Sequence, residues 1–369
     1  MKNLIVGAGL SGCALANKIA AELNEDVLII DKRNHIAGNI YDYKDIETGI
    51  TVHKYGPHIF HTNNKEVWDF LSQFTKWHPF FFKPNTVIEG NIVTLPFNLK
   101  TLYELFPDET AAKIETKLIN TYGFGTKISI SQLRNNNDTT INFIANYIYE
   151  NVYKHYTEKQ WGTNINDINS SVINRLLIHI SNDCRYFQDK FQAIPLNGYT
   201  KMIENMLNHP NIEVNLETEF KDINTSDFSR IIYTGSIDEL FNYKYGLLPY
   251  RSLIFDTMKI NKEYFLKSAM TTFPNNYNFT RITEHKYFLD EKASHTIVTF
   301  EYPTEYKTDK NERYYPINNE KTLIMYNKYL NEVHKKKNLF VLGRLGNYKY
   351  YNMDTIVENA INLFKEKIK

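Results

Sequence analysis

Gly7-Ala8-Gly9-Leu10-Ser11-Gly12 and, further on, Asp31 are the residues whose types and spacing point most directly to chemistry. In such a turn the first glycine permits a tight bend, the second lets backbone approach a pyrophosphate, and the third lets helix pack on strand. An acid at Asp31 stands where a ribose hydroxyl would be bonded, and the pyrophosphate would rest on a helix N-terminus. A dinucleotide is therefore the expected ligand. Two other readings compete. Leu10-Ser11-Gly12-Cys13 after Lys2 also fits a lipoprotein signal box, but cleavage there would leave the run ending in Asp31 unexplained. The glycines could also serve the turn alone.

Other clusters mix aromatic with basic residues. They include His58-Ile59-Phe60-His61, Tyr156 to Gly162, Arg185-Tyr186-Phe187, Tyr250-Arg251-Ser252, Thr280 to Lys286, Tyr314-Tyr315-Pro316 and Gly343-Arg344-Leu345-Gly346. Rings that stack a base and arginine forks that grip a diphosphate would suit a nucleotide sugar, although each cluster alone also fits a half-buried strand. His58 and His61 have no evident third ligand, so no metal site is expected. None of the familiar serine or cysteine nucleophile patterns occurs, so a bound cofactor is expected to carry the hard step.

Those residues need elements to hold them. Leu4-Ile5-Val6, a helix from Cys13 to Leu23 and Val27 to Ile30 form a βαβ start. Thr86 to Val93 around Glu89-Gly90 reads as a hairpin. Helical spacing runs through Thr101–Phe106, Glu109–Tyr122, Ile141–Tyr156 and Ser171–Ile180, interrupted by an asparagine-rich stretch from Thr163 to Asn174 that is expected to be a mobile loop. Tyr199–Leu207 reads as a helix. Glu213–Asn215, Arg230–Thr234 and Asn338–Gly343 read as strands returning to the first sheet. From Leu253 to Tyr302 the alternation predicts an antiparallel sheet. Asp354–Lys367 is a terminal amphipathic helix, with Asn352 or Asp354 as its cap.

Lys and Arg number 43 against 42 Asp and Glu, so no bulk charge selects nucleic acid or an acidic membrane. Apolar residues make up 42% of the chain, enough for a core, yet no run is long enough to span a bilayer. Cys13 and Cys184 form no zinc or CxxC spacing, so a reducing compartment, the cytoplasm, is expected.

The motifs together resemble the bacterial UDP-galactopyranose mutase family. The matching stretches are GAGLSG at 7–12, HKYGPHIFHT at 53–62, YTEKQWG at 156–162, GYT at 198–200, YRS at 250–252, TRITEHK at 280–286, EYP at 301–303, YYP at 314–316 and GRLGNYKYYNM at 343–353. The resemblance implies an α/β fold, a Rossmann-like FAD-binding domain interleaved with a helical bundle and an antiparallel β-sheet domain. Its implied parts are 1–75, 196–240 and 331–369 for the cofactor; 98–180 for the helices, with an active-site loop near 163–175; and 76–97, 181–195 and 241–330 for the antiparallel sheet.

It further implies interconversion of UDP-galactopyranose and UDP-galactofuranose, supplying galactofuranose for cell-surface glycans. In that chemistry reduced FAD, kept reduced by a donor such as NAD(P)H, attacks the anomeric carbon through flavin N5 as UDP leaves. The sugar is held as an adduct, opens through an iminium and recloses as the five-membered ring. By position Arg175 and Arg281 resemble diphosphate clamps, and Tyr315 and Tyr350 resemble phosphate-holding tyrosines beside the flavin. Tyr186 and Phe187 resemble the uridine platform, with Tyr156, Thr157 and Trp161 in the same cleft and Arg251 and Asn276 as further substrate candidates.

On the cofactor side the resemblance adds to the glycine turn and Asp31 a first group, Lys32, Gly38, Asn39, Tyr55, Gly56, His58 and His61. A second group is Phe220, Gly235, Gly343, Arg344, Tyr350, Asn352 and Met353, and His58 is a candidate for proton transfer. Asn352 departs from the family, which often has Asp there, so a role for that acid in proton transfer does not carry over. A homodimer is the family's expectation. Two alternatives stay open: a mutase that also accepts UDP-N-acetylgalactosamine, and an FAD oxidoreductase of amine-oxidase type.

Overall fold

Leu4, Leu28, Ile30 and Ile231 are buried on one side of a parallel sheet, and Ile5, Ile29 and Ile232 on the other, as the two-residue period of a strand demands. The structure, a computed structural model, describes residues 2–168, 170–308 and 310–369. Asn169, inside the expected loop at 163–175, lies outside the described residues, as do Met1 and Asp309 of the expected domain ranges. The sheet is built from β1 (Asn3–Val6), β2 (Val27–Ile30), β3 (Ile212–Asn215), β4 (Arg230–Tyr233) and β5 (Leu339–Val341). Their order is β3-β2-β1-β4-β5, all parallel, so the later segments do return to the first sheet. Helix α1 (Leu10–Leu23) follows the glycine turn and stops at Asn24, whose left-handed backbone (φ 52°) closes its end. Together with Tyr199–Leu207 and the late helix Met353–Leu363, α1 covers one face of the sheet.

The opposite face is covered by a helix that sequence periodicity does not reveal, Glu320–His334, which buries Tyr329 and Val333 against Leu4 and Ile231. Its start was legible in principle. Asn319 accepts from Thr322 N–H while the Thr322 hydroxyl accepts from Asn319 N–H, a capping box.

A seven-stranded sheet holds the rest of the site. Its order is Tyr315–Pro316, Tyr250–Ile260, Thr296–Glu305, Arg281–Glu284, Met270–Thr272, Asn85–Ile88, Asn91–Thr94. It is antiparallel except where Met270–Thr272 meets Asn85–Ile88. The predicted hairpin is present, with Glu89 (φ 50°) and Gly90 (φ 83°) giving the two positive values of a tight two-residue turn. Trp77–Pro79 and Phe191–Pro195 do not join this sheet; Phe191–Pro195 lies between Phe60–Thr62 and Trp77–Pro79 in an antiparallel sheet of three strands.

The helical part packs around Leu102, Leu118, Ile144 and Ile148. The helix Thr139–Ile148 widens into a π-helical turn over Tyr149–Lys154 and continues as α2 (His155–Trp161). The predicted helix Ser171–Ile180 is corrected. Helix covers Ser170–Ile173 only, and Ile178–His179 is a strand paired with Lys127–Ile128. The cause is backbone bonding to neighbours: His179 N–H donates to Phe97 O and Ile180 N–H to Thr126 O, both at 2.9 Å. The final helix, α3 (Met353–Leu363), also differs in detail. Asn352 occupies the cap position but makes no side-chain cap bond, and Asp354 accepts from Thr355 N–H and the Thr62 hydroxyl instead. No helix among the described residues is long and apolar enough to cross a membrane.

Candidate active site

At the carboxyl ends of the parallel strands lies a cleft of about 1160 Å³. Gly7, Gly9, Leu10 and Ser11 line it, with Asp31 and Lys32 past β2 and Gly38 and Asn39 opposite. Phe220, Gly235, His58, Arg344 and Met353 line it further along. The glycines are there for space. A Cβ on Gly7 (φ 111°) would stand 2.0 Å from the Thr234 hydroxyl, and one on Gly38 (φ 55°) would stand 2.9 Å from Gly9 Cα. The first turn of α1 has no side-chain cap, since its cap residue is Gly9. Its N–H groups are thus left for an anion, as a pyrophosphate needs. Asp31 accepts from Ala8 N–H at 2.8 Å and Arg33 N–H at 2.9 Å, so it also holds the turn itself. Each carboxylate oxygen keeps a further lone pair for a ribose hydroxyl. The cradle fits a dinucleotide in shape and donor set.

Several predicted cofactor residues stand behind this surface rather than on it. A Cβ on Gly12 would meet Gly7 O at 2.2 Å, and one on Gly343 would meet the Ser11 hydroxyl at 2.8 Å, so both serve close packing of the turn. The Tyr55 ring carries the Arg33 guanidinium at 4.6 Å and its hydroxyl meets His35 Nε2 at 2.7 Å. Gly56 (φ 90°) fits against Phe255. Asn352 is exposed. His61 bonds Asp189 through Nδ1 at 2.8 Å and stacks on Phe187 at 3.6 Å, so it belongs with the aromatic platform. Tyr186 meets Phe187 edge-on at 4.9 Å.

The second half of the site is built from side chains. Arg281 and Glu301 face each other across neighbouring strands, and Arg281 donates through Nε (2.7 Å) and Nη2 (2.6 Å) to one oxygen, Glu301 Oε2. Glu301 is 3% exposed and its other oxygen, Oε1, is buried without a partner. Against the cost of burial, the Glu301 charge holds the Arg281 guanidinium firmly ionised. Tyr350 packs beneath two guanidinium groups, Arg175 at 4.0 Å and Arg344 at 4.5 Å from its ring centre. Burial alone would raise its phenol, but the Arg175 and Arg344 charges, with a hydrogen bond from Arg175, outweigh burial and pull it down to about 8.

Tyr315 stacks on Tyr350 at 5.9 Å and meets Trp161 at 6.1 Å; burial pushes its hydroxyl up. Burial likewise pushes Tyr156 up to about 12, against the nearby Arg281. Thr157 is buried in α2, between Tyr156 and Trp161 in sequence.

His58 is held neutral by burial, down to about 3. Its Nδ1 lies 2.9 Å from Gly56 O, which accepts only, so the proton sits on Nδ1 and Nε2 keeps its lone pair. Two predicted substrate residues are placed elsewhere. Arg251 donates to Gln160 O at 3.0 Å and its guanidinium fills the space above Gly162, closing the end of α2. Asn276 lies in a separate cleft of about 530 Å³ with Glu150, His155 and Lys159. Sequence reasoning gave no role to Glu301, Arg33 or Lys159. Lys159 donates to the carbonyls of Phe273, Tyr277 and Phe279, tying α2 to the turn that leads into Arg281. Only the cross-strand register could have shown Glu301 as the partner of Arg281.

A family model described as UDP-galactopyranose mutase matches residues 151–350, and one for an NAD(P)-binding Rossmann-like domain matches 5–74. A probable UDP-galactopyranose mutase of Klebsiella pneumoniae is 35% identical over 98% of this chain and 94% of that protein. A dTDP-fucopyranose mutase of Escherichia coli is 34% identical over 100% of this chain and 98% of that one. In fold, the chain resembles a crystal structure of reduced UDP-galactopyranose mutase with a TM-score of 0.74 at 13% identity, over 99% of this chain and 93% of the other.

Proposed function

The chain belongs to the UDP-galactopyranose mutase family, an isomerase family, and from that premise we propose that it interconverts UDP-galactopyranose and UDP-galactofuranose with FAD in the glycine-lined cleft. The observation that carries this reading is the meeting of Arg175, Arg344 and Tyr350 beside Tyr315 and the Arg281–Glu301 pair. Bound in its reduced form, FAD supplies a nucleophile toward the anomeric carbon.

The side chains do the rest. Arg175 and Arg281 hold the diphosphate, and their charges stabilise UDP as it leaves, when negative charge grows on the β-phosphate. Glu301 keeps Arg281 aimed and ionised. Tyr315, neutral across the physiological range because of burial, donates its hydroxyl proton to a phosphate oxygen. Tyr350 is mostly protonated at pH 7 and donates likewise. The Phe187–His61 stack, with Tyr186 at its edge, offers the base a flat apolar platform. His58 Nε2 keeps its lone pair and accepts a hydrogen bond beside the cofactor, its imidazole, at about 3, being too weak a base to hold a proton near neutral pH. A deoxysugar on a thymidine nucleotide is the second substrate to test, because the E. coli relative with that name matches as fully.

The test is an anaerobic assay on the FAD-loaded protein with UDP-galactofuranose and, in parallel, the furanose form of dTDP-fucose. Conversion by dithionite-reduced protein only, with the flavin still reduced afterwards, is the expected result. Consumption of one oxidant equivalent per turnover would replace the mutase by an oxidoreductase.

A further inference from the structure

Glu312 and Arg313 are consecutive residues of opposite charge, and each is paired to a different wall of the cofactor cleft. Glu312 Oε2 accepts from Arg33 Nη2 at 2.9 Å, and Arg33 stands just past the end of β2. Arg313 Nη1 donates to Glu239 Oε2 at 2.8 Å and Nη2 to the Tyr243 hydroxyl at 3.3 Å, and Glu239 lies in the turn of helix just past β4. The strand order places β1 between β2 and β4. A link from Arg33 to Glu239 therefore passes over the carboxyl end of β1, where the glycine turn begins.

The distances allow it. Two inter-strand steps span about 10 Å, which two adjacent residues with long side chains reaching opposite ways readily bridge. Arg33, Glu239, Glu312 and Arg313 all line the same cleft as Gly7, Gly9 and Asp31. Arg33 also donates to Asn39 Oδ1 at 3.0 Å, so the link is tied to the Gly38-Asn39 turn opposite α1. Arg313 is 6% exposed, lies over the Tyr306 ring at 4.5 Å and keeps a buried Nε–H without a partner.

We propose that Glu312 and Arg313 form a charged brace across the cofactor cleft that slows release of the bound dinucleotide; this rests on the cofactor reading above. The carboxylates at the two ends are accessible, Glu312 43% and Glu239 40% exposed, while the arginines are held by aromatic rings. The weak points are therefore the two Glu ends, where water and salt reach the pair. Opening either end frees one side of the cleft, so entry and exit of the cofactor are both gated by ion pairs that salt screens.

The experiment follows FAD release from the holoprotein by the rise in flavin fluorescence after dilution, with melting of the apoprotein measured alongside. Glu312→Gln and Glu239→Gln should each speed release about two- to fivefold, as expected for partly exposed pairs, and the double variant about tenfold. Salt at about 1 M, where screening reaches charges about 3 Å apart, should speed release from the wild type by a similar factor and leave the double variant unchanged. Apoprotein melting should stay within a degree or two. Unchanged release in both variants, even with a lowered melting point, would assign the pairs to fold stability and overturn the brace. A wild-type protein that takes up no FAD would overturn the cofactor reading and the brace with it.

Discussion

The glycine-lined cleft and the arginine–tyrosine chamber adjoin each other and are built in opposite ways. The cleft is made of backbone: Gly7, Gly9 and Gly38 contribute by lacking a Cβ, and the uncapped turn of α1 contributes N–H groups. The chamber is made of long side chains from remote segments: Trp161 from α2, Arg175 beyond it, Arg281 and Glu301 from paired strands, Tyr315 from a sheet edge and Tyr350 before α3. A backbone site binds anything with the right phosphate geometry and tolerates little change in its own chain. A side-chain site sets the chemistry and is open to single substitutions.

The largest break in this comparison should come from Arg281. Arg281→Ala, made in a Glu301→Gln background so that no buried carboxylate is left uncompensated, should lower kcat/KM by about 10²–10³ while flavin absorbance shows FAD still bound. Near-normal turnover would remove Arg281 from the diphosphate site. The matching change on the other side is Gly7→Ala. Its Cβ would collide with Thr234 Oγ1 at 2.0 Å and its backbone sits at φ 111°. About 1–3 kcal/mol of strain should weaken FAD binding by one to two orders of magnitude, seen by titration of the apoprotein. Tight FAD binding in that variant would contradict the backbone account.

A smaller effect sharpens the chamber's side. Tyr350, pulled down to about 8, becomes a phenolate above that pH beside the arginines proposed to hold a diphosphate. The KM for the nucleotide sugar should rise above pH 8 by up to about tenfold per unit, and Tyr350→Phe should flatten that rise. A pH profile unaltered by Tyr350→Phe would refute the assignment. For stability the sign is the reverse. The folded value lies below the unfolded one near 10, so the stabilisation builds as pH climbs from 8 to 10, is fully present above 10 and contributes nothing at pH 7.

The smallest change expected is Asn352→Asp. Asn352 is exposed and makes no cap bond. The added charge should leave FAD bound and lower the flavin potential slightly, because it disfavours an anionic reduced form. Anaerobic dithionite titration measures the shift; loss of FAD would show that Asn352 does more than stand nearby.

The difference between the two regions also explains what was legible in the sequence. The βαβ start needs only residues close in the chain, so spacing alone exposed the glycine turn, α1 and Asp31. The returning strands β4 and β5 were legible as short apolar runs, and β3 as an alternation, Ile-Glu-Val-Asn. The chamber was not. Arg175, Tyr315 and Tyr350 came forward through a family resemblance, since no local pattern brings them together. Glu301 had no visible role because its meaning depends on facing Arg281 across two strands. The segment from Ser171 to Ile180 misled because Ile178 and Ile180 fit a helical period equally well, and only bonds to Phe97 and Thr126 decide for extended chain. Arg251 carries a charge that suits a phosphate, yet the backbone end of α2 claims it.

The parallel sheet carries its first strand at Asn3–Val6 and its last at Leu339–Val341, and Arg344 and Met353 line the same cleft as Gly7. A ribosome makes the glycine turn hundreds of residues before these partners. The dinucleotide cradle therefore exists in outline early in synthesis but lacks β5 and one of its walls until residue 353 has been made. Closure of the cradle is then a late event in the making of each chain, after the helical and antiparallel segments have been synthesised.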